Sequence, residues 1–245
     1  AVAMVREPEQ EPIGFRAISG RLGMLDLDTP IELLDGSLLG LRVFAGYAGW
    51  SELAIQDELD LSGIDVAQAS TFFDAERDRI LSGNVSKYPQ ASMQDPAELP
   101  PRYVFVALQT LIDKVQELAY VPMLTMLDWV VERFAGTATK VVVKRHPDCS
   151  DARVAQRLRA HIDGGAVTQS NASIHQLIAG CDAVFAVNSG VGCEALLHLK
   201  PVYLFGRADY RHVCHQVRDR EQFLRLTQPV RPCVPDSTIK RFLYF

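Results

Sequence analysis

From Tyr103 onward, short β-prone runs alternate with helical stripes. Tyr103–Leu108 reads as a strand. Val121–Ala135 reads as a helix with Leu124, Leu127, Val131 and Phe134 on one stripe and Gly136 as its stop. Lys140–Lys144 is an apolar-centred strand. Ser150 is the expected cap of a helix that carries Val154, Leu158 and Ile162 on one face and ends at Gly164-Gly165. Ala166–Thr168 is a short strand, and Ser173 caps a helix over Ile174–Ala179. Asp182–Val187 is then a strand, Asn188-Ser189-Gly190 a turn and Val191–Leu199 a helix. Lys200-Pro201 stops that helix, and Gly206 ends the strand Val202–Phe205. Five strands separated by four helices imply βαβ units: an α/β, Rossmann-like parallel sheet with helices on both faces.

The first hundred residues are less regular. Glu7–Pro12 is polar and reads as exposed loop, Arg21–Asp28 and Leu41–Ala48 as strands, and Ile31–Leu39 as a short helix broken at Gly36. This predicts a small α+β segment over residues 1–58. A turn at Ser62-Gly63 precedes a helix over Asp74–Leu81 that Gly83 ends. Tyr88–Pro101, with Pro89, Pro96, Pro100 and Pro101 among polar residues, reads as surface loop. Residues 59–101 are therefore expected to connect the first segment to a Rossmann-like domain over 102–245.

Composition narrows the class. Of 245 residues, 48% are apolar and 22% charged, the balance of a globular protein with a sizeable core. A net charge of −5 argues against a general nucleic-acid binder, despite the local basic residues Arg207, Arg211 and His212. No apolar run approaches the length of a membrane span, and the N-terminus lacks a charged-then-apolar secretory pattern. Five cysteines, an odd number with no CxxC, fit reduced cytosolic thiols rather than a disulfide framework or a zinc site. A cytoplasmic location, with no metal, is the expectation.

Candidate chemistry sits just after the strands, where an open α/β sheet binds ligands. Lys144-Arg145-His146-Pro147 follows the second strand, so an imidazole beside two cations can donate to a phosphate or leaving group; the plainer reading is an exposed turn. Asp113, after the first strand, suits a nucleophile, a base or an orienting group, or is simply solvated. At Asn188-Ser189 the start of a helix offers free N–H groups to an anion, against ordinary N-capping as the alternative. Gly190 and Gly192 let a ligand approach the backbone, Ser189 adds a hydroxyl, and Glu194 one turn later can accept from a sugar hydroxyl. His161, His175 and His198 lie in helical stretches and read as structural or solvent-facing. Packing is favoured over a lowered thiol pKa for Cys193.

Two resemblances add to these readings. GRLGMLDLDTP followed by GLRVFAGYAGW, over residues 13–52, resembles the middle third of the AlgH family; Ser51-Glu52-Leu53 then runs on without that family's Gly-Gln pair. KRHP followed some forty residues later by AVNSGVGCEALLHLKPVYLFG resembles the C-terminal, nucleotide-sugar-binding half of GT-B glycosyltransferases. Within these, residues 60–225 are most similar to capsule polysaccharide biosynthesis proteins, which include Kdo transferases that use CMP-Kdo; Arg145 stands where that family usually has Pro. The resemblance implies a single GT-B-type half that takes a nucleotide-sugar donor as substrate, with no separate cofactor. It implies that His146 and Ser189 hold the donor phosphate, that Glu194 holds the ribose, and that Asp113 sits near the transferred sugar. Lys144, Arg145, Asn188 and Gly190 complete the donor site. The implied partners are a glycan acceptor, membrane-associated glycan machinery and a partner chain supplying the acceptor domain. The alternative is a non-catalytic, AlgH-like binding or regulatory protein, or a fusion carrying a glycosyltransferase-like remnant.

Overall fold

The computed structural model describes residues 2–5, 12, 15–19, 22–25, 29, 34, 36–42, 61–91, 99–226 and 230–245. The chain forms two compact units, Ala1–Asp60 and Leu61–Phe245. In the first, β1 (Val2–Val5), β2 (Phe15–Ser19), β3 (Leu22–Leu25) and β4 (Leu38–Arg42) make an antiparallel sheet in the order β2-β3-β1-β4. Phe15, Leu25 and Leu34 are buried together with Leu38 against them. The helix expected over Ile31–Leu39 is not formed in its described part. Gly36, at φ +71°, makes a turn that only a residue free of Cβ adopts readily, and Leu38 already belongs to β4. The GYAGW string lies outside the described residues, as do most of Glu7–Pro12 and the strand expected beyond Arg42.

The second unit is built on a six-stranded, wholly parallel sheet. Its strands are β5 (Tyr103–Ala107), β6 (Lys140–Lys144), β7 (Val167–Gln169), β8 (Val184–Ala186), β9 (Val202–Leu204) and β10 (His215–Gln216). Their order is β10-β9-β8-β5-β6-β7. The chain thus starts in the middle, builds outward through β6 and β7, then crosses back to β8 and builds the other way. Helices α2 (Met123–Phe134) and α3 (Ala152–Asp163) follow β5 and β6; α4 (Ile174–Gly180) and α5 (Gly190–Leu197) follow β7 and β8. Because parallel crossovers keep one hand, reversing direction along the sheet moves the helices to the opposite face. The core shows this directly. Val104 and Val106 pack with α2 and α3, whereas Tyr103, Phe105 and Ala107 pack with α4 and α5. A strand buried on both faces explains the unbroken apolar runs at Val104–Val106 and Val141–Val143.

Several elements differ from expectation. β10, only two residues long, was not foreseen; the His215 ring stacks on Tyr203, 4.5 Å between centroids. The helices α6 (Arg220–Leu226) and α7 (Asp236–Tyr244) likewise lie beyond the elements that the sequence pattern predicts. Asp151 rather than Ser150 caps α3, its Oδ1 accepting from the Arg153 N–H at 2.8 Å. Ser173 occupies the cap position of α4 but makes no capping bond there, its hydroxyl donating instead to Asn84 Oδ1. Most consequential is the expected connector over 59–101. Its described part belongs to the second unit, which begins at Leu61. α1 (Val66–Ser82), longer than the predicted Asp74–Leu81, buries Phe73, over whose ring Lys240 Nζ of α7 sits at 5.0 Å. No helix among the described residues is long and apolar enough to cross a membrane.

Candidate functional site

β5 and β8 are the two strands between which the sheet reverses, and beyond their carboxyl ends lies a cavity of about 430 Å³. Such a crevice is where this topology places ligands. The residues singled out after the strands, Asp113, Lys144, Arg145, His146, Asn188, Ser189, Gly190 and Glu194, all line it. They do so because successive parallel strands end at the same edge, so turns far apart in sequence meet there.

The reversal itself is bridged by a side-chain clamp. Gln109, buried after β5, donates through Nε2 to Asn188 Oδ1 at 3.0 Å and accepts the Asn188 backbone N–H at 3.2 Å. Asn188 Nδ2 donates to the Val115 carbonyl at 2.7 Å. Asn188 is therefore committed to joining β5, β8 and the 3-10 turn Lys114–Leu118, and Gln109 is its essential partner. Asp113 caps that turn, accepting the Val115 N–H at 3.2 Å, and stands exposed at the rim.

Ser189 begins α5, its Oγ accepting from the Val191 N–H at 3.3 Å. The two glycines there serve different ends. A Cβ at Gly190 would meet nothing within 4 Å, whereas one at Gly192 would lie 2.5 Å from the Tyr210 hydroxyl. Gly192 thus makes room for Tyr210 rather than for a ligand, and Tyr210 donates to the Ser189 carbonyl, fixing the turn. Cys193 is not activated by the helix start: burial pushes its thiol up.

After β6, His146 Nδ1 accepts the Asp148 N–H at 3.1 Å. That bond leaves Nε2 to carry the proton of a neutral ring. Tyr88 meets this ring edge-on, 4.9 Å between centroids. Lys144 Nζ donates to the Ala172 carbonyl at 2.5 Å and reaches Gln90 Oε1 at 3.5 Å, so it anchors loops as well as charging the cavity. Burial lowers its amine, an effect that Glu194 opposes. Arg145 reaches the Asp151 carbonyl at 3.5 Å, while its Nε is buried without a hydrogen-bond partner. Glu194 faces these cations from α5. Burial raises its carboxyl above the ordinary range, with Ser86, His175 and Lys144 opposing the shift in that order.

Sequence reasoning missed the segment Ser86–Ala91, which forms one wall of the cavity. Ser86 donates to Glu194 Oε1 at 2.8 Å, and Gln90 Oε1 accepts the Ile174 N–H at 2.9 Å. These bonds join residues 108 and 84 positions apart. No local pattern reports them; the only available hint was a Tyr and a Gln inside a Pro-bearing loop. Among the described residues no group of three or more His, Cys, Asp or Glu side chains is placed to hold a metal ion.

Comparison with known proteins bears on both units. The N-terminal part is similar to the UPF0301 protein SCO2948 of Streptomyces coelicolor, 47% identical over 51 residues, which is 21% of this chain and 26% of that protein. A UPF0301 protein of Streptomyces avermitilis is 50% identical over 48 residues, 20% of this chain and 25% of that protein. The chain thus spans about a quarter of the length of these curated relatives. The resemblance of this part to the AlgH family, to which the UPF0301 proteins correspond, is upheld. Among solved structures the chain is similar to the beta Kdo 2,4 transferase KpsC of Thermosulfurimonas dismutans. That match has a TM-score of 0.49 and 18% identity, over 80% of this chain and 56% of that one. It is also similar to a UDP-GlcNAc 2-epimerase of Methanocaldococcus jannaschii, with a TM-score of 0.41 and 11% identity, over 78% and 51% of the two chains. The profile of the capsule polysaccharide biosynthesis proteins matches residues 79–216, more than half of the chain. That stretch runs from the last turn of α1 through β10 and so contains the Ser86–Ala91 wall, the Gln109–Asn188 clamp and every strand of the parallel sheet. By the extent of this match, the chain belongs to the family of capsule polysaccharide biosynthesis proteins.

Proposed function

We propose that Leu61–Phe245 is the donor-binding half of a glycosyltransferase that moves a sugar from a nucleotide, with CMP-Kdo as the candidate donor, to a capsule or surface polysaccharide. The observation that carries this reading is the meeting of three features in one cavity: the start of α5, the Lys144-Arg145-His146 turn and the carboxylate of Glu194. The N–H groups at a helix start and a protonated imidazole nitrogen suit a phosphate. Glu194 Oε2, buried and without a hydrogen-bond partner, is an acceptor short of a donor, which a ribose hydroxyl would supply.

In this reading His146 Nε2–H and Ser189 hold the donor phosphate beside the backbone of Gly190, and Lys144 and Arg145 supply positive potential. The bond between the sugar's anomeric carbon and the phosphate oxygen breaks while the acceptor hydroxyl bonds to that carbon. The charge left on the nucleotide is stabilised by donors already in place, the effect that contributes most in such sites. Asp113, at the rim, takes the proton of the acceptor hydroxyl. Asn188 acts at one remove, holding the turn through Gln109. The acceptor side of the cleft is assigned to a second domain or a partner chain at the glycan machinery.

The test is thermal unfolding of the full chain against CMP, UDP, GDP and their sugar conjugates. A nucleotide at a hundred times its dissociation constant should add about 2.7 kcal/mol to stability. One nucleotide is expected to shift the midpoint selectively, and His146→Ala and Ser189→Ala to reduce that shift while unfolding as cooperatively as the wild type. No shift with any nucleotide would overturn the reading.

A further inference from the structure

Glu194 is held from several sides. From the Ser86–Ala91 wall, the Ser86 hydroxyl donates to Oε1 at 2.8 Å. From α4, His175 Nε2 stands 3.8 Å from Oε2, outside hydrogen-bond range. His175 cannot turn to close that gap. Its Nε2–H is given to the Val85 carbonyl at 2.7 Å, and its Nδ1 meets His198 Nε2 at 3.2 Å. From the end of β6 comes the charge of Lys144, and from α5 itself the neighbouring Cys193 thiol. Among the described residues the hydrogen bond to this carboxylate thus comes from Ser86, at Oε1, and Oε2 is buried without one.

We propose that Ser86 is a positioning residue for Glu194: its hydroxyl fixes Oε1 and so sets the carboxylate toward the ribose hydroxyls of a bound nucleotide. This rests on the nucleotide-binding reading above. It gives a function to a segment whose sequence reads as loop, and it makes the distinction between ribose and deoxyribose depend on a residue that touches neither. The geometry also ties ligand and wall together, since the same bond joins the Ser86–Ala91 segment to α5. A neutral, apolar replacement at 86 removes the donor without removing anything from the core, because Ser86 is only half-buried.

Two measurements on the full chain, each with wild type, Ser86→Ala and Ser86→Thr, test this. The first is the carbon-detected titration of the Glu194 carboxyl in nucleotide-free protein, assigned with Glu194→Gln. The second is the affinity ratio of CMP to dCMP, or of the corresponding pair for whichever base binds. Ser86→Ala is expected to move the Glu194 midpoint upward, because the ionised form loses its donor. It is also expected to reduce the preference for the ribonucleotide by about tenfold, as loss of an ordered charge-assisted hydrogen bond does. Ser86→Thr, which keeps the hydroxyl, should restore both. A purely structural role would weaken CMP and dCMP equally and leave the titration where it was, and that result would overturn the proposal. If no nucleotide binds the wild type, the glycosyltransferase reading fails, and the titration alone then decides whether Ser86 sets Glu194.

Discussion

Gly190 and Gly192 look equivalent in sequence, two residues apart in a turn-and-helix start, yet they answer to different neighbours. Alanine at 192 would press on the Tyr210 hydroxyl, which already donates to the Ser189 carbonyl. Overpacking of this kind costs about 1–3 kcal/mol. Gly192→Ala is therefore expected to lower the melting midpoint by several degrees. Gly190→Ala should leave it in place and instead weaken nucleotide binding, because Gly190 lines the cavity and its new methyl group would meet no protein atom. Calorimetry paired with titration separates the two, and a destabilised Gly190→Ala would contradict the account of the turn. Residue by residue, the chemistry-bearing positions were legible because each follows a strand, and strand ends are readable from apolar runs. What each side chain does was less so. Nothing local distinguishes Asn188, consumed by Gln109 and Val115, from a ligand-binding Asn, because its partners lie more than seventy positions away.

Among the elements, α4 and the end of α5 are joined by a histidine pair. His175 is buried, and His198 stacks on it with 5.4 Å between centroids. Burial pushes His198 down to about 4, with the charges of His175, Arg77 and Lys200 acting in the same direction. A depressed histidine favours the neutral ring in the folded state. Its contribution is thus fully present above the ordinary value near 6.5 and is lost as pH falls toward 4. Stability is expected to decline over that window, and His198→Gln to flatten the decline, as urea unfolding at a series of pH values would show. An unchanged slope would mean that the pair is protonated or open in solution. The parallel strands could be read from sequence because burial on both faces demands runs such as Val141–Val143. β10 could not, being two residues long, and neither could the full length of α1. Of its seventeen residues only Ala69 and Phe73 are buried, too narrow a stripe to announce a helix. The Ser86–Ala91 wall is illegible for the same reason that the Gln109–Asn188 clamp is: its anchors, Glu194 and Ile174, lie far along the chain.

At the scale of the molecule, the division at Asp60 and Leu61 places every described residue that lines the cavity in the second unit. Leu61–Phe245 produced alone is expected to unfold cooperatively and to keep the nucleotide-dependent shift of the full chain. Loss of that shift in a folded fragment would assign part of the donor site to the first sixty residues. The order of strands has a consequence for how the protein is made. Of the parallel sheet's strands, β5, in its interior, leaves the ribosome first, but β8, which covers one of its edges, begins only at Val184, after β5 has ended at Ala107. At translation rates of about 5–20 residues per second, that edge waits roughly 4–15 s for its partner. Throughout that interval a nascent row of unpaired N–H and C=O groups, flanked by Val104, Phe105 and Val106, is open to pairing with a neighbouring chain on the same messenger. The yield of this protein in cells is accordingly expected to respond to synthesis speed and chaperone supply as well as to the stability of the finished sheet.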